Sequence, residues 1–264
     1  MPIVSEIEKA IFEWAPKELA EDWDNVGLLC GSAEQEVTRL LVALDPFENV
    51  CLEAAERGAQ LIVTHHPLIF VPPHSVTDRD SVGRCIMFLA SHGISAINAH
   101  TNLDCAFGGV NDILANKLGL KDIHVIGMEK RDSQNRICGL LRAGSVEETD
   151  IMTFAQLVKE TLSCPGIRLV DAGRPVRRVA VGGGACGSEL VDVSDANCDT
   201  FVTADVKYNQ FRDAVDLGVN LIDAGHFETE NPVCKALAAF LRERFPTIEV
   251  LLSEKHSDPI KYLI

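Results

Sequence analysis

The stretch Leu61-Ile62-Val63-Thr64-His65-His66-Pro67 joins a short apolar run to two adjacent histidines. A continuous apolar run of this length is typical of a buried strand in a parallel sheet, because both faces of such a strand are covered. The histidines follow at the point where the strand ends. In open α/β sheets ligands bind beyond the carboxyl ends of the strands, so the stretch predicts both an architecture and the position of a site.

Similar apolar runs alternate with helical patterns on both sides of this stretch. Leu40–Leu44 precedes a helix through Val50–Arg57, and a helix near Val82–His92 precedes the strand Ser95–Ala99. Strands recur at 179–181, 200–202 and 220–222. This alternation predicts an α/β protein with mixed, largely parallel sheets.

Weaker patterns complete the outline of the chain. Ser5-x-x-Glu8 has the form of a capping box and predicts a first helix that ends near Ala15-Pro16. In mid-chain, 135–143 predicts a strand and 153–162 a helix.

Bulk properties exclude several classes of protein. The chain has 264 residues, of which 47% are hydrophobic and 24% charged, as in ordinary globular proteins. Its formal net charge of −15 disfavours nucleic-acid binding, which depends on neutralising phosphates. The first 17 residues lack the apolar core of a signal peptide, and no apolar run approaches the length of about 18 residues that a membrane span needs. We therefore expect a cytoplasmic protein without a membrane partner.

The nine cysteines are scattered singly along the chain, from Cys30 to Cys234. No C-x-x-C pair occurs, and an odd count argues against a complete disulfide framework. We predict that most of them are buried, reduced thiols, and not members of disulfides or of a zinc–thiolate site.

Four polar clusters gather the residue types that a two-metal site needs. Each cluster follows a predicted strand, and the four are Thr64–Pro67, His100–Asp104, Asp205 and Gly225–Glu230. Histidine and carboxylate ligands together suit Zn, Fe, Mn, Co or Ni. Side chains alternate along an extended backbone, so two adjacent histidines favour two neighbouring ions over one. Asp104 and Glu230 each lie four residues after a histidine, a spacing that places both groups on one face of a helical turn.

Gly182–Gly187 is a second candidate for ligand binding. It follows a predicted strand and could cradle a phosphate through backbone N–H groups. It matches neither the P-loop nor the dinucleotide fingerprint, so a tight turn between strand and helix is the favoured interpretation.

Four motifs, in this order along the chain, resemble one family closely: Trp23–Leu28, Thr64–Leu68, Ala99–Asp104, and Asp223–His226 with Glu230. This is the YbgI-like dinuclear-metal family, whose members are named GTP cyclohydrolase 1 type 2 homologues. The similarity runs from the first helix to Ser257–Tyr262.

The resemblance implies a ligand set, an assembly and a division into lobes. The implied metal ligands of two divalent ions are His65, His66, Asp104, His226 and Glu230, with Glu230 bridging the ions and His100 close by. Two α/β lobes are implied, residues 1–124 with 225–264 and residues 125–224, with the metal site at strand carboxyl ends between them. A toroidal homohexamer is implied as well. One position departs from the family, because Asn209 stands where a histidine is usual.

Two classes of function remain open at this point. The first is a dinuclear metal-dependent hydrolase that acts on a small molecule or nucleotide, of which GTP ring opening is one version. In that case two cations activate a water against a carbonyl, amidine or phosphoryl centre, and His100 or Asp205 serves as general base. The second is a non-enzymatic protein that stores or delivers metal, or that acts as a scaffold. Both classes require the same ligands.

Overall fold

The computed structural model describes residues 1–263, which form two compact units. Unit 1 comprises Met1–Leu103 and Val233–Ser257, and unit 2 comprises Asp104–Pro232 and the residues from Asp258 onward. These boundaries differ from those expected at 124/125 and 224/225. The reason is that residues 104–124 carry a helix and the start of a strand that pairs within the second sheet.

Thirteen strands and ten α-helices make up the described chain. In chain order the strands are β1 (Gly27–Cys30), β2 (Arg39–Ala43), β3 (Leu61–Thr64), β4 (Ser95–Asn98), β5 (Lys121–Ile126), β6 (Lys130–Arg131), β7 (Ile137–Cys138), β8 (Leu141–Thr149), β9 (Arg168–Val170), β10 (Val176–Val181), β11 (Thr200–Thr203), β12 (Asn220–Asp223) and β13 (Glu249–Leu252). The helices are α1 (Val4–Trp14), α2 (Glu48–Glu56), α3 (Ser81–Ser91), α4 (Thr101–Cys105), α5 (Val110–Lys117), α6 (Ile151–Leu162), α7 (Leu190–Asp195), α8 (Tyr208–Leu217), α9 (His226–Glu230) and α10 (Pro232–Arg244).

Unit 1 is built on a five-stranded sheet in the order β1-β4-β3-β2-β13. The last four strands pair in parallel, and β1 pairs antiparallel with β4 at one edge. Every residue of β3 and β4 is buried, as their continuous apolar runs predict. Leu41 and Ile62 pack with Leu89 of α3 and Ala54 of α2 in the core of this unit.

Unit 2 contains a six-stranded sheet in the order β5-β8-β10-β11-β12-β9. Its three strands β10, β11 and β12 pair in parallel, and antiparallel strands flank them on both sides. Two apolar clusters cover the faces of the sheet. Phe201 packs in one cluster and its neighbour Val202 in the other, because successive side chains of a strand point to opposite faces. The predicted α/β fold with mixed sheets is confirmed.

Two local predictions differ from the structure. The first helix begins at Val4, and the backbone N–H of Ile3 donates to Glu6 rather than to a Ser5–Glu8 box. Glu8 instead accepts a hydrogen bond from the N–H of Leu28, at 2.7 Å, and so connects α1 to β1. The strand expected over 135–143 is divided into the short β7 and the long β8, which begins only at residue 141.

The structure also bears on the thiols and on membrane crossing. None of the nine cysteines forms a disulfide, and all but the half-buried Cys30 are buried, as predicted for most of them. Within residues 1–263, no helix has both the length and the apolar character that a membrane crossing needs.

Candidate metal site

The carboxyl edge of the unit 1 sheet gathers polar side chains from four strands. Because β2, β3 and β4 are parallel, the residues that follow them meet at one edge, and these include Asp45, His65, His66 and His100. Strand β1 runs the opposite way, so the residue that precedes it, Asp24, lies at this edge too. Strand topology alone therefore brings three histidines and two aspartates together.

His65, His66 and His100 form one compact group. Their ring centroids lie 5.1 to 5.6 Å apart, and one candidate ligand atom from each lies within 4.8 Å of the others. Strand β3 ends at Thr64, so the alternation expected of an extended backbone does not apply to the two adjacent histidines. That alternation therefore gives no support here for a second ion.

An oxygen acceptor holds the Nδ1 atom of each histidine in this group. His65 Nδ1 lies 2.8 Å from the carbonyl oxygen of Ala99, His66 Nδ1 lies 2.6 Å from Asp45 Oδ1, and His100 Nδ1 lies 2.8 Å from Asp24 Oδ1. A carbonyl or carboxylate oxygen can only accept, so the proton sits on Nδ1 and the lone pair of the neutral ring on Nε2. Metal-binding histidines are oriented in the same way.

Asp24 stays ionised although its side chain is fully buried. Burial alone would raise the pKa of this carboxyl, but the hydrogen bonds from His100 and from both the hydroxyl and the backbone N–H of Thr101 outweigh it. Together they hold the pKa of Asp24 well below its usual value. The carboxylate therefore fixes both the His100 ring and the start of α4.

In unit 2, helix α9 presents a histidine and a carboxylate on one face. His226 begins the helix and Glu230 ends it, one turn later, with His226 Nε2 3.0 Å from Glu230 Oε2. His226 Nδ1 lies 2.8 Å from Asp205 Oδ2, so a third histidine is paired with an aspartate. Asp205 has a φ of +52°, a left-handed conformation that non-glycine residues adopt infrequently.

Two buried carboxylates lie side by side in unit 2. Asp104 is 5% exposed and Glu230 is 3% exposed, and candidate ligand oxygens of the two lie within 4.8 Å of one another. Like charges this close and this shielded from water repel each other strongly. A divalent cation beside them offsets that repulsion, so this donor set fits a metal ion.

The glycine-rich segment 182–184 forms a wall against this carboxylate pair. Gly184 has a φ of +64°, and a Cβ at this position would lie 2.1 Å from Glu230 Oε1 and 3.1 Å from His226 Nε2. The backbone N–H groups of the segment are already used, in hydrogen bonds to the Val202 carbonyl, Asn111 Oδ1 and Thr229 Oγ1. These contacts favour the tight turn over a phosphate cradle.

Buried side chains also hold the main chain around Asp104. The Asn111 amide donates to the carbonyl oxygens of Asp104 and Leu140, at 3.3 and 2.6 Å. The buried Arg142 guanidinium donates to the carbonyl oxygens of Cys105 and Ala106, the two residues that follow Asp104. Neither Asn111 nor Arg142 was predicted from the sequence to lie near the site.

The seven predicted site residues fall into two sets. Unit 1 brings His65, His66 and His100 together, and unit 2 brings Asp104, His226 and Glu230 together, with Asp205 bonded to His226. The orienting roles of Asp24 and Asp45 were missed. Asp45 could have been predicted, because it directly follows the predicted strand at 40–44, just as each of the four clusters follows a predicted strand. Asn209 lies exposed in α8.

The chain is similar to known proteins over nearly its whole length. A GTP cyclohydrolase 1 type 2 homolog of Clostridium perfringens is 32% identical over 262 residues, covering 98% of this chain and 99% of the relative. One of the same name from Streptomyces coelicolor is 36% identical over 250 residues, covering 92% and 87%. The crystal structure of a Bacillus cereus protein related to NIF3 has a TM-score of 0.91 at 25% identity, covering 100% of this chain and 99% of that one.

The family model for Duf34/NIF3 (NGG1p interacting factor 3) matches residues 2–259. A solved structure of the protein ybgI shares the fold, with a TM-score of 0.83 at 22% identity and coverage of 98% and 100%. The resemblance inferred from four short motifs is thereby confirmed. This chain belongs to the Duf34/NIF3 family.

Proposed function

We propose that this protein is a dinuclear metal-dependent hydrolase. The proposed ligands are His65 and His66 of unit 1 and Asp104, His226 and Glu230 of unit 2. The observation that carries the proposal is that oriented histidines occur together with a pair of close, buried carboxylates. The histidines are oriented through Nδ1 by oxygen acceptors, and the buried carboxylates lie close enough to share a cation.

The donor set suits several metals. Imidazole and carboxylate ligands accommodate Zn, Fe, Mn, Co and Ni, so availability in the cell decides among them. Two divalent ions held by these residues would lower the pKa of a water molecule and polarise the group under attack.

The chain's own residues would handle the proton and orient the ligands. We assign the role of general base to His100, because Asp24 holds its Nδ1–H and stabilises the positive ring that forms when Nε2 takes a proton. Asp45 and Asp205 orient His66 and His226 in the same way, although Asp205 also remains a candidate base. A carboxylate partner makes an imidazole a stronger ligand as well as a better-placed one.

The substrate class is the open part of this proposal. The name of the relatives makes GTP one compound to test, with water attacking a purine carbon. Phosphoesters and cyclic amides belong in the same screen, because a dinuclear site activates water toward all three.

Metal analysis and an activity screen on the same samples test the proposal. We expect two zinc ions per chain after loading, and metal-dependent turnover of at least one compound in the screen. Turnover should disappear on chelation and in His65→Ala, but not in His124→Ala, which removes an exposed histidine bonded to a backbone carbonyl. Protein that holds two ions but turns over nothing would favour storage or delivery of metal, and protein that holds one ion or none would refute the dinuclear site.

We also propose a homohexamer, as the resemblance implies. Large apolar side chains on the surface support association, and they include Trp23, Phe70 and Val71 of unit 1. Light scattering at micromolar concentration should give the mass of six chains, and a single species of one chain would contradict the proposal.

A further inference from the structure

Unit 1 contains a cleft of about 380 Å³ that begins at the His66 ring. The loop after β2, with Asp45 and Phe47, forms one side, and the first turn of α3, with Ser81 and Val82, forms another. His66 thus belongs both to the histidine group and to the wall of the cleft. A molecule bound in the cleft would have one end beside a proposed metal ligand.

We propose that this cleft holds the body of the substrate, and that this body is an uncharged or cationic group of the amide or amidine class rather than a phosphate. The inference rests on the proposed function, since it assumes that the reaction takes place at the His66 end.

The walls of the cleft suit a small apolar body. Pro46 and Phe47 line one side, Pro67 and Leu68 a second, and Val82 a third. The Phe47 side chain is half exposed, so its ring can cover a planar group. Ligand pockets in proteins are usually apolar clefts of about 300–1,000 Å³ with a few polar groups, and this cleft lies within that range.

The charges around the cleft oppose an anion. Helices α2 and α3 begin here, and an open helix start would attract a phosphate. Each start already has an acidic residue of its own, because Asp80 accepts the Gly83 N–H at 2.7 Å and Glu48 lies in the first turn of α2. Asp45 adds a third carboxylate at the His66 end.

One guanidinium does not reverse this balance. Arg84 contacts Glu48 Oε1 through both Nε and Nη2, at 2.8 and 2.6 Å, so its charge is directed at that carboxylate. Each helix start contributes about half a positive charge. In protein without bound ions, three carboxylates against one guanidinium and two helix starts leave a balance of about one negative charge, which favours an N–H donor or a cation over a phosphate in the cleft.

Three probes of the same shape and different charge test this inference. Benzamidine, benzamide and benzoate carry charges of +1, 0 and −1 at neutral pH on nearly the same framework. We expect metal-free protein, in which no ion adds its own positive charge, to bind benzamidine at least ten-fold more tightly than benzoate, with benzamide between them, as measured by ligand-observed NMR titration before the same sample is loaded with zinc. Benzamidine that fails to bind, or that binds no better than benzoate, would overturn the inference.

Variants that fill the cleft locate the binding. Val82→Trp should weaken benzamidine binding at least ten-fold, and so should Ser81→Trp, whose exposed position leaves the core intact. Leu157→Trp is the matched control, because it places the same side chain in a shallow depression on α6 of unit 2. Benzamidine binding that is unchanged in both cleft variants would place the binding elsewhere and overturn the inference.

The zinc content of the same samples separates this inference from the proposed function. Two zinc ions per chain without benzamidine binding would overturn the substrate class and leave the metal site standing. Benzamidine binding in the cleft of protein that takes up no zinc would refute the dinuclear hydrolase, and the assignment of the cleft to its substrate would be refuted with it.

Discussion

The two units bring different charges to the same kind of sheet edge. Unit 1 contributes a group of three imidazoles, His65, His66 and His100, which is neutral when the rings are neutral. Unit 2 contributes one imidazole with two buried carboxylates, Asp104 and Glu230. Neutral imidazoles can lie side by side at little electrostatic cost, whereas paired carboxylates repel each other. A cation beside the donors should therefore matter more in unit 2 than in unit 1.

The units nevertheless share a way of orienting histidine. His66 bonds to Asp45 in unit 1, and His226 bonds to Asp205 in unit 2. The side chain of Asp45 is 15% exposed and that of Asp205 is 50% exposed. Because water weakens interactions of an exposed charge, the aspartate–histidine contact should hold the imidazole ring more firmly in unit 1 than in unit 2.

The largest effect should come from neutralising Glu230 of unit 2, the carboxylate that the family resemblance implies as a bridge. Glu230→Gln removes a negative charge from the pair with Asp104 and leaves a weak amide ligand in its place. We expect the metal content to fall from two ions per chain to at most one, as measured by elemental analysis after loading with zinc.

Glu228→Gln is the control for this substitution. Glu228 is a buried carboxylate in the same short helix, it does not belong to the proposed ligand set, and burial raises its pKa above the usual value. It should keep both ions. If Glu230→Gln retained two ions, Glu230 would not be a ligand. The main difference between the two units would then disappear.

A smaller loss should follow from filling the space beside Glu230. In Gly184→Ala the new Cβ would lie 2.1 Å from Glu230 Oε1, so the carboxylate must shift by about 1 Å to reach an ordinary C···O contact. Metal–ligand distances tolerate only about 0.2 Å. We expect zinc affinity to fall at least about ten-fold, in competition with a chelator of known affinity.

Gly173→Ala separates this clash from backbone strain. Gly173 has a φ of +75°, close to the +64° of Gly184, but nothing lies within 4 Å of the Cβ position. Each alanine would therefore be strained by about 1–2 kcal/mol in the left-handed conformation, but only the Cβ at position 184 would contact the candidate site. Equal losses of zinc affinity in the two variants would show that Gly184 acts through stability alone.

A direct test of the comparison replaces one orienting aspartate in each unit. Loss of such a partner typically costs about 10–100-fold in metal affinity. We expect Asp45→Asn to fall in that range and Asp205→Asn to fall below it, because Asp205 is the more exposed of the two. Zinc competition measures both, and the reverse order would mean that exposure does not set the strength of these pairs.

The main elements of this site could be predicted from the sequence because parallel strands end at one edge. The apolar run 61–63 predicted a buried strand, and the histidines that follow it had few other places to lie. The His226–Glu230 spacing likewise anticipated their shared helical face.

The remaining contacts join residues that are far apart in the chain, so no local pattern indicates them. Asp24 reaches His100 only because β1 is antiparallel to β4, a pairing that the apolar runs do not encode. Gly184 meets Glu230 across 46 positions. Arg142 was not expected in a buried strand, and only the fold supplies the carbonyl groups and the carboxylate of Asp112 that satisfy its charge.

The smallest expected effect is on the free energy of unfolding, and it distinguishes the buried carboxylate Glu53 from the buried pair Asp104 and Glu230. Glu53 of unit 1 is 2% exposed. Burial alone would raise its pKa, but donors outweigh it, namely the backbone N–H groups of Glu254 and Lys255, the Ser253 hydroxyl and the Arg57 guanidinium, and they lower the pKa from the ordinary 4.5. Glu53 thus differs from the Asp104–Glu230 pair, for which we propose a metal ion.

Opposite effects on stability should follow in metal-free protein. Glu53→Gln should lower the free energy of unfolding at pH 7 by about 1–3 kcal/mol, because hydrogen bonds to a charged acceptor are lost. Glu230→Gln should cost nothing or stabilise, because relief of the repulsion with Asp104 offsets the weaker contact with His226 Nε2. Since the pKa of Glu53 is lower in the folded state, its contribution is present above the unfolded value and is lost as the pH falls through the folded one. Urea unfolding at pH 7 and below pH 4 should therefore show the deficit of Glu53→Gln shrinking in acid, and a deficit that does not depend on pH would mean that packing, not charge, explains it.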